Sequence, residues 1–287
     1  MRVGRIPYIN CYPVYGAIDS GVVAFPHELV TGVPSALNRQ MAEGALDVSV
    51  ISAVEYARDA RRYLLLPDLA ISCDGPVRSV MLFSKRPAAE LTGRRVLVSS
   101  SSMTSVELVR LLCENVWHAR PEFVPADAEV GDIAHFPHER DHDARLVIGD
   151  AALMLQAASE SGAAEASHRA VAALYPHVYD LGAEWKSWTG LPFVFAVWVA
   201  QRRGKPTESL GVHAALIESR NWGLDHLDEL SARAATATGV DPDICRRYLA
   251  GLDYGLTHEY LAGLTEFFRR LVAAGRVPDG TLAFLAA

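Results

Sequence analysis

An α/β fold in two lobes is predicted by three features of the 287-residue sequence. Short β-branched, apolar runs alternate with amphipathic segments, the pattern of strands separated by covering helices. The length suffices for two cores and leaves little room for a third. Half the residues are hydrophobic and 21% are charged, the balance of a packed globular chain.

In chain order, strands are expected at Met1 to Ile6, Glu28 to Thr31, Asp47 to Ile51, Val77 to Ser84, Arg95 to Val98, Ala144 to Ile148 and Phe193 to Ala200. Pro34 opens a helix whose Leu37 and Met41 share a face, and Val106, Val109, Leu112 and Cys113 do the same in another. From about Pro206 strand signals fade, and helices are expected at Glu208 to Arg220, His226 to Thr238, Asp241 to Leu249 and Glu259 to Ala273. No linker divides the chain into two contiguous halves, so one lobe should be threaded through the other. With the long strands Val77 to Ser84 and Phe193 to Ala200 as crossings, lobe 1 comprises residues 1–84 plus 197–287 and lobe 2 residues 85–196, with a substrate cleft between them.

The formal charge of -7 and the scattered Lys and Arg exclude a basic stripe that follows a phosphate backbone, so no nucleic-acid partner is expected. An anionic ligand must then be met locally by arginines, hydroxyls or helix N-termini. Cys11, Cys73, Cys113 and Cys245 form no C-x-x-C pair and read as buried thiols of a reducing compartment. Met1 to Pro7 lack the apolar run of a signal peptide, and no stretch reaches the roughly 20 apolar residues that span a bilayer. A cytoplasmic protein without membrane contact is expected.

Polar residues collect where strands end, the usual ligand edge of an open α/β sheet. The first strand runs into Arg5-Ile6-Pro7-Tyr8-Ile9-Asn10, and the Asn10 amide can both donate to and accept from a hydroxyl or carboxylate, or merely satisfy turn backbone. Ser99 to Ser105 follow a strand and open a helix, gathering hydroxyls and N–H groups for a carboxylate or for a plain N-cap. Asp150 stands at the equivalent edge as a cap. Within the strand Val77 to Ser84, Arg78 and Ser79 should point to opposite faces, with Ser79 on the buried side. No Gly-x-Ser-x-Gly elbow surrounds Ser79, so it reads as a hydrogen-bonding serine rather than a nucleophile.

His135, His138 and His142 have metal-like spacing, but Pro137 breaks the helix that would align them, and a solvated loop with no metal is expected. The aromatic run Trp185 to Phe195 suits core or interface packing better than a ligand mouth. Phosphate-loop and Rossmann signatures are absent, so no nucleotide cofactor is expected.

Six blocks in order carry a resemblance to a known family: Arg5 to Asn10, Asp47 to Ala57, Arg78 to Ser84, Ser101 to Val106, Ile148 to Leu153, and Leu181 through Trp188-Thr189-Gly190-Leu191-Pro192-Phe193-Val194-Phe195-Ala196. Over nearly its full length the chain resembles the chorismate dehydratases of the futalosine route to menaquinone. The resemblance implies a type II periplasmic-binding-protein-like fold, two α/β lobes joined by two hinge strands, used as a carbon-oxygen lyase without a cofactor. The implied substrate is the small dianion chorismate, and a homodimer is compatible with it. Asn10 and Ser79 are carried over as the residues closest to the reaction. Arg5, Tyr8, Ser52, Arg78, Ser100, Ser101, Thr104, Ser105 and Asp150 are expected to bind substrate. Met103 stands where many members have Arg, which leaves hydroxyls and helix N–H groups to hold a carboxylate there. The rivals are a non-catalytic receptor for a small carboxylate, the sister dihydroxynaphthoate synthase, and a regulator's effector domain. The receptor should carry an export signal and the regulator a helix-turn-helix.

Overall fold

The computed structural model describes residues 1–99, 102–126, 141–160 and 166–286. The chain begins with β1 (Arg2–Arg5), a 3-10 turn at Ile9–Cys11 and α1 (Tyr12–Asp19). Next come β2 (Glu28–Thr31), α2 (Pro34–Ala42), β3 (Val48–Ser52), α3 (Ala53–Arg58) and β4 (Tyr63–Cys73). The middle of the chain carries β5 (Val80–Ser84), β6 (Arg95–Ser99), α4 (Met103–Asn115), β7 (Glu122–Ala126), β8 (Ala144–Ile148) and α5 (Gly149–Glu160). It continues with α6 (Ala166–Ala172), β9 (His177–Asp180), α7 (Leu181–Thr189) and β10 (Phe193–Gln201). Four helices close it: α8 (Pro206–Asp225), α9 (Leu227–Thr238), α10 (Pro242–Ala250) and α11 (His258–Ala273).

Two compact units result, one of residues Met1–Cys73, Leu191–Leu230 and Leu252–Ala287, the other of Asp74–Gly190 and Ser231–Gly251. Each holds one five-stranded mixed sheet flanked by helices. In the first unit the strand order is β2-β1-β3-β10-β4, with β1 parallel to β2 and β3, and β10 antiparallel to β3 and β4. β3 and most of β10 are buried, as strands in mid-sheet with both faces covered must be. Trp198 on β10 is fully buried and donates its indole N–H to the Tyr15 hydroxyl of α1 at 3.2 Å, so the largest side chain in this core leaves no polar atom stranded. On α11, Phe267 meets Phe193 edge-on at 4.9 Å, and Gly263 lets the helix approach the Pro192 carbonyl so closely that a Cβ would collide with it.

In the second unit the order is β7-β6-β8-β5-β9, with β6 parallel to β7 and β8, and β5 antiparallel to β8 and β9. Met81 and Phe83 from β5 pack with Val147 and with Ala151 and Leu155 of α5, and Tyr175 closes the cluster. Among the described residues no helix is long and apolar enough to cross a membrane.

The chain divides at 73/74 and 190/191, whereas the sequence led to division at 84/85 and 196/197. β5 and β10 each lie wholly within one sheet. The second difference concerns the tail: residues 231–251, expected in the first lobe, belong to the second unit and bring α10 with them. Strand β4 was not expected, because Pro67 and Asp68 interrupt its alternation and Asp68 takes a φ of 54°. The β10 pairing shifts register across that region, the signature of a bulged ladder.

Candidate functional site

In the first unit β1 and β3 run parallel, so the residues that follow them share the carboxyl edge of the sheet. After β1, Tyr8 is buried and introduces the turn Ile9–Cys11, whose Cys11 N–H donates back to the Tyr8 carbonyl at 3.0 Å. Asn10 sits in that turn, half-buried, and its Oδ1 is sealed from solvent with no hydrogen-bond partner among the described residues. A buried acceptor left unmet costs about 1–3 kcal/mol, which marks Asn10 as a group awaiting a donor.

Arg5 and Ser52, expected to bind substrate, are engaged by the protein itself. Arg5 forms a two-pronged ion pair with Asp19, its Nη2 donating to Oδ2 at 2.8 Å, and its guanidinium lies 5.1 Å from the Tyr15 ring. The Ser52 hydroxyl caps α3 by accepting from the Glu55 N–H at 3.2 Å, and it accepts from Asn38 Nδ2 at 3.0 Å. Asn38 Oδ1 in turn accepts the Ser52 N–H at 3.1 Å. Two cavities of about 310 and 250 Å³ in this unit are lined by groups such as Asp59 and Arg62, or Asp68 and Arg220, and contain none of the expected residues.

In the second unit the antiparallel pairing of β5 with β8 sets Val80 opposite Ile148. The residues entering β5 therefore stand beside those leaving β8, and the Gly149 N–H donates to the Ser79 carbonyl at 2.8 Å. β6 is parallel to β8, so the start of α4 falls on the same edge. This edge thus brings together Ser79, Thr104, Ser105 and Asp150. The N-cap of α4 is Ser102, whose Oγ accepts the Ser105 N–H at 3.3 Å and donates to Ser105 Oγ at 2.7 Å. Asp150 is the second residue of α5 and not its cap, two residues beyond the cap position, and in that first turn its charge still interacts favourably with the helix dipole. Ser100 and Ser101 lie outside the described residues.

Arg78 and Ser79 depart from the expected alternation because β5 starts only at Val80. Arg78 takes a left-handed φ of 60°, and both side chains turn toward α10. Ser79, 3% exposed, accepts at Oγ from the hydroxyl of Tyr248 at 2.8 Å. A Cβ at Gly251, the C-cap of α10, would stand 3.0 Å from Arg78 Nη1, which places the guanidinium at the negative end of that helix.

Asp180 holds this segment in place. Its carboxylate accepts the N–H groups of Val77 at 3.0 Å and Arg78 at 2.7 Å, together with those of Gly182 and Ala183 at the start of α7. Burial pushes the Asp180 carboxyl above its ordinary range, although all four N–H donors favour the ionised form. Sequence reasoning missed both Asp180 and Tyr248. Each carries a signal only in retrospect: Asp180 as the acidic residue before a helix, Tyr248 as the polar-tipped member of the buried Cys245, Tyr248 and Leu249 face of α10.

His135 and His138 lie outside the described residues. His142 is not in a solvated loop: it is 4% exposed, and its Nε2 meets the Tyr175 hydroxyl at 2.7 Å. The aromatic run divides between the two cores, with Trp185 fully buried on α7 and Phe193 buried on β10.

The sequence matches a family described as menaquinone biosynthesis over residues 1–273. It is 32% identical over 240 residues to a chorismate dehydratase of Thermus thermophilus, covering 83% of this chain and 84% of that one. To a chorismate dehydratase of Campylobacter jejuni it is 28% identical over 201 residues, covering 68% and 66%. A crystal structure of a protein from Archaeoglobus fulgidus superposes with a TM-score of 0.74 at 20% identity, covering 96% of this chain and 98% of that one. The periplasmic aliphatic sulphonate binding protein of Escherichia coli gives 0.61 at 14% identity, covering 100% and 94%. These structural likenesses establish a periplasmic-binding-protein-like fold. Matched along nearly all of its length, the chain belongs to the menaquinone biosynthesis family.

Proposed function

We propose that the protein is a chorismate dehydratase, a lyase that converts chorismate to 3-[(1-carboxyvinyl)oxy]benzoate and water. The observation that carries this reading is the 32% identity to the Thermus thermophilus enzyme across 83% of the chain. The reaction breaks the C3–H and C4–O bonds and leaves an aromatic ring, whose formation drives it. The C3 proton is vinylogous to the ring carboxylate, so donors on that carboxylate stabilise charge as the proton leaves. Thr104, Ser105 and the N–H groups opening α4, with Ser100 and Ser101 preceding them, are the proposed donors.

The base in this reading is the substrate's own enolpyruvyl carboxylate, folded over C3. Asn10 holds the hydroxyl, whose proton its solvent-sealed Oδ1 is free to accept among the described residues, or through its Nδ2 donors the carboxylate. Ser79 orients the side chain or assists departure of water. Arg5 and Ser52 act one step back, since Asp19 and the α3 N-terminus already occupy their polar atoms.

The test is to mix purified protein with chorismate, without added metal or nucleotide, and follow the mixture by mass and ultraviolet absorbance. A product lighter than chorismate by one water and absorbing as an aromatic enol ether is the expected result. Chorismate that binds but persists unchanged would favour a receptor instead.

A further inference from the structure

The Ser79 hydroxyl has two neighbours of unequal quality. Tyr248 donates to Oγ at 2.8 Å, whereas the Val77 carbonyl that would accept the serine proton is 3.4 Å away, at the limit of a hydrogen bond. A phenol is a better donor than an aliphatic alcohol, so the phenolic proton occupies one serine lone pair and the serine proton remains weakly committed. We propose that Tyr248 is a positioning residue of the reaction: it fixes Ser79 as a hydrogen-bond donor aimed at a substrate oxygen. This rests on the reading of the chain as a chorismate dehydratase with Ser79 at the reacting centre.

Three features make the arrangement a built one. Tyr248 is 1% exposed and Ser79 3%, so their bond is shielded from competing water and stronger for it. The ring is carried on the buried face of α10, started by Pro242 and capped by Asp241, whose carboxylate accepts the Asp243 N–H at 2.8 Å. Opposite it, Asp180 fixes the backbone just before Ser79 through Val77 and Arg78. Oγ is thereby placed from the main-chain side by one residue and its proton directed by another. A phenol-to-serine-to-substrate chain also polarises along its length, so the last donor strengthens when charge develops on the oxygen it meets.

A double-mutant cycle on the full chain tests this, with kcat and KM for chorismate measured for wild type, Tyr248→Phe, Ser79→Ala and the double variant. Tyr248→Phe is expected to lower kcat on the order of tenfold with KM changed less than about threefold, as loss of one hydrogen bond near the reacting atoms implies. With Ser79→Ala already present, the second substitution should cost less than about twofold, since a residue acting through Ser79 has nothing left to orient. Equal losses in both backgrounds, or a Tyr248→Phe enzyme with wild-type kcat, would overturn the proposal while leaving the dehydratase reading intact. Wild-type protein that leaves chorismate unchanged overturns that reading and the proposal together. A crystal structure of wild type with 3-[(1-carboxyvinyl)oxy]benzoate bound supplies a measurement independent of any variant's folding. Ser79 Oγ should lie within hydrogen-bond distance of a product oxygen while still bonded to Tyr248. A product oxygen bonded to Tyr248 directly, with Ser79 turned to Val77, would overturn it.

Discussion

The Asp180 carboxylate accepts the backbone N–H of Arg78 at 2.7 Å, and this bond secures a residue held at φ 60°. Left-handed backbone at a residue with a Cβ costs about 1–3 kcal/mol and persists only where surroundings impose it. Here the imposing group stands 102 residues further along the chain, at the junction of β9 and α7.

Asp180→Ala removes the acceptor of four N–H groups and is expected to destabilise the protein by about 1–3 kcal/mol. Arg78→Gly should act in the opposite sense on the backbone, because glycine takes φ 60° without strain, offset in part by the loss of the guanidinium at the end of α10. Urea midpoints of the two variants and of the double variant provide the check. If strain at position 78 is what Asp180 holds, Asp180→Ala costs less in the Arg78→Gly background. Identical costs in both would show that Asp180 serves only as the cap of α7.

Gly223 on α8 approaches α1 so closely that a Cβ would lie 2.6 Å from Pro13 Cα and run into its carbonyl oxygen. Both neighbours are backbone, which does not yield by a rotamer change. Gly223→Ala is therefore expected to destabilise by about 1–3 kcal/mol despite alanine's better helix propensity. Thermal unfolding measures it, and an unchanged midpoint would mean the two helices separate freely.

Glu55 gives a pH dependence of definite sign. Its side chain is buried against Tyr63, whose hydroxyl donates to Oε1 at 3.2 Å. Burial raises the carboxyl above the ordinary 4.5, with the Tyr63 bond opposing it. A carboxyl that holds its proton more tightly folded than unfolded stabilises the fold at low pH, and that contribution is lost as pH rises from 4.5 through the folded value. Glu55→Gln keeps an acceptor for Tyr63 and does not titrate. Its stability relative to wild type should therefore increase with pH across the carboxylate range and level off above it. A difference independent of pH, read from denaturant midpoints at pH 4 to 7, would rule this out.

How far such features could be read from sequence depended on whether their cause was local. Strands β2 and β8 fell where period and composition put them, and the ends of β1 and β6 pointed to Asn10 and to the serines before α4. Apolar alternation and strand-end polarity are properties of neighbouring residues. Strand β4 was hidden because Pro67 and the left-handed Asp68 break its period, a disruption repaired only by pairing with β10 and by the Arg220 side chain donating to Asp68 Oδ2 at 3.0 Å. The same limit applies at the site. Arg5 looks like an anion-binding arginine until Asp19 is brought beside it, and Ser52 like a ligand group until Asn38 is. Tyr248 lies 169 residues from Ser79, on a helix that amphipathicity alone assigned to the closing segment of the other lobe.

Asn10→Asp tests the proposed site most sharply. The substitution conserves size, removes both N–H donors of the amide and introduces a carboxylate next to a dianionic substrate. If Asn10 acts mainly in the transition state, kcat should fall about 10²- to 10³-fold, the usual consequence of losing one preorganised donor to developing charge. A uniform ground-state contact would instead raise KM and spare kcat. A second signature follows from burial, since the native Oδ1 is sealed from solvent and a carboxyl there favours its neutral form. Once protonated, the aspartic acid regains one donor and sheds the repulsive charge. The variant's kcat relative to wild type should therefore recover as pH falls through the raised carboxyl value, whereas Asn10→Ala, with nothing to protonate, should show no such recovery. Wild-type kcat in Asn10→Asp, or parallel pH profiles for the Asp and Ala variants, would remove Asn10 from the reacting centre.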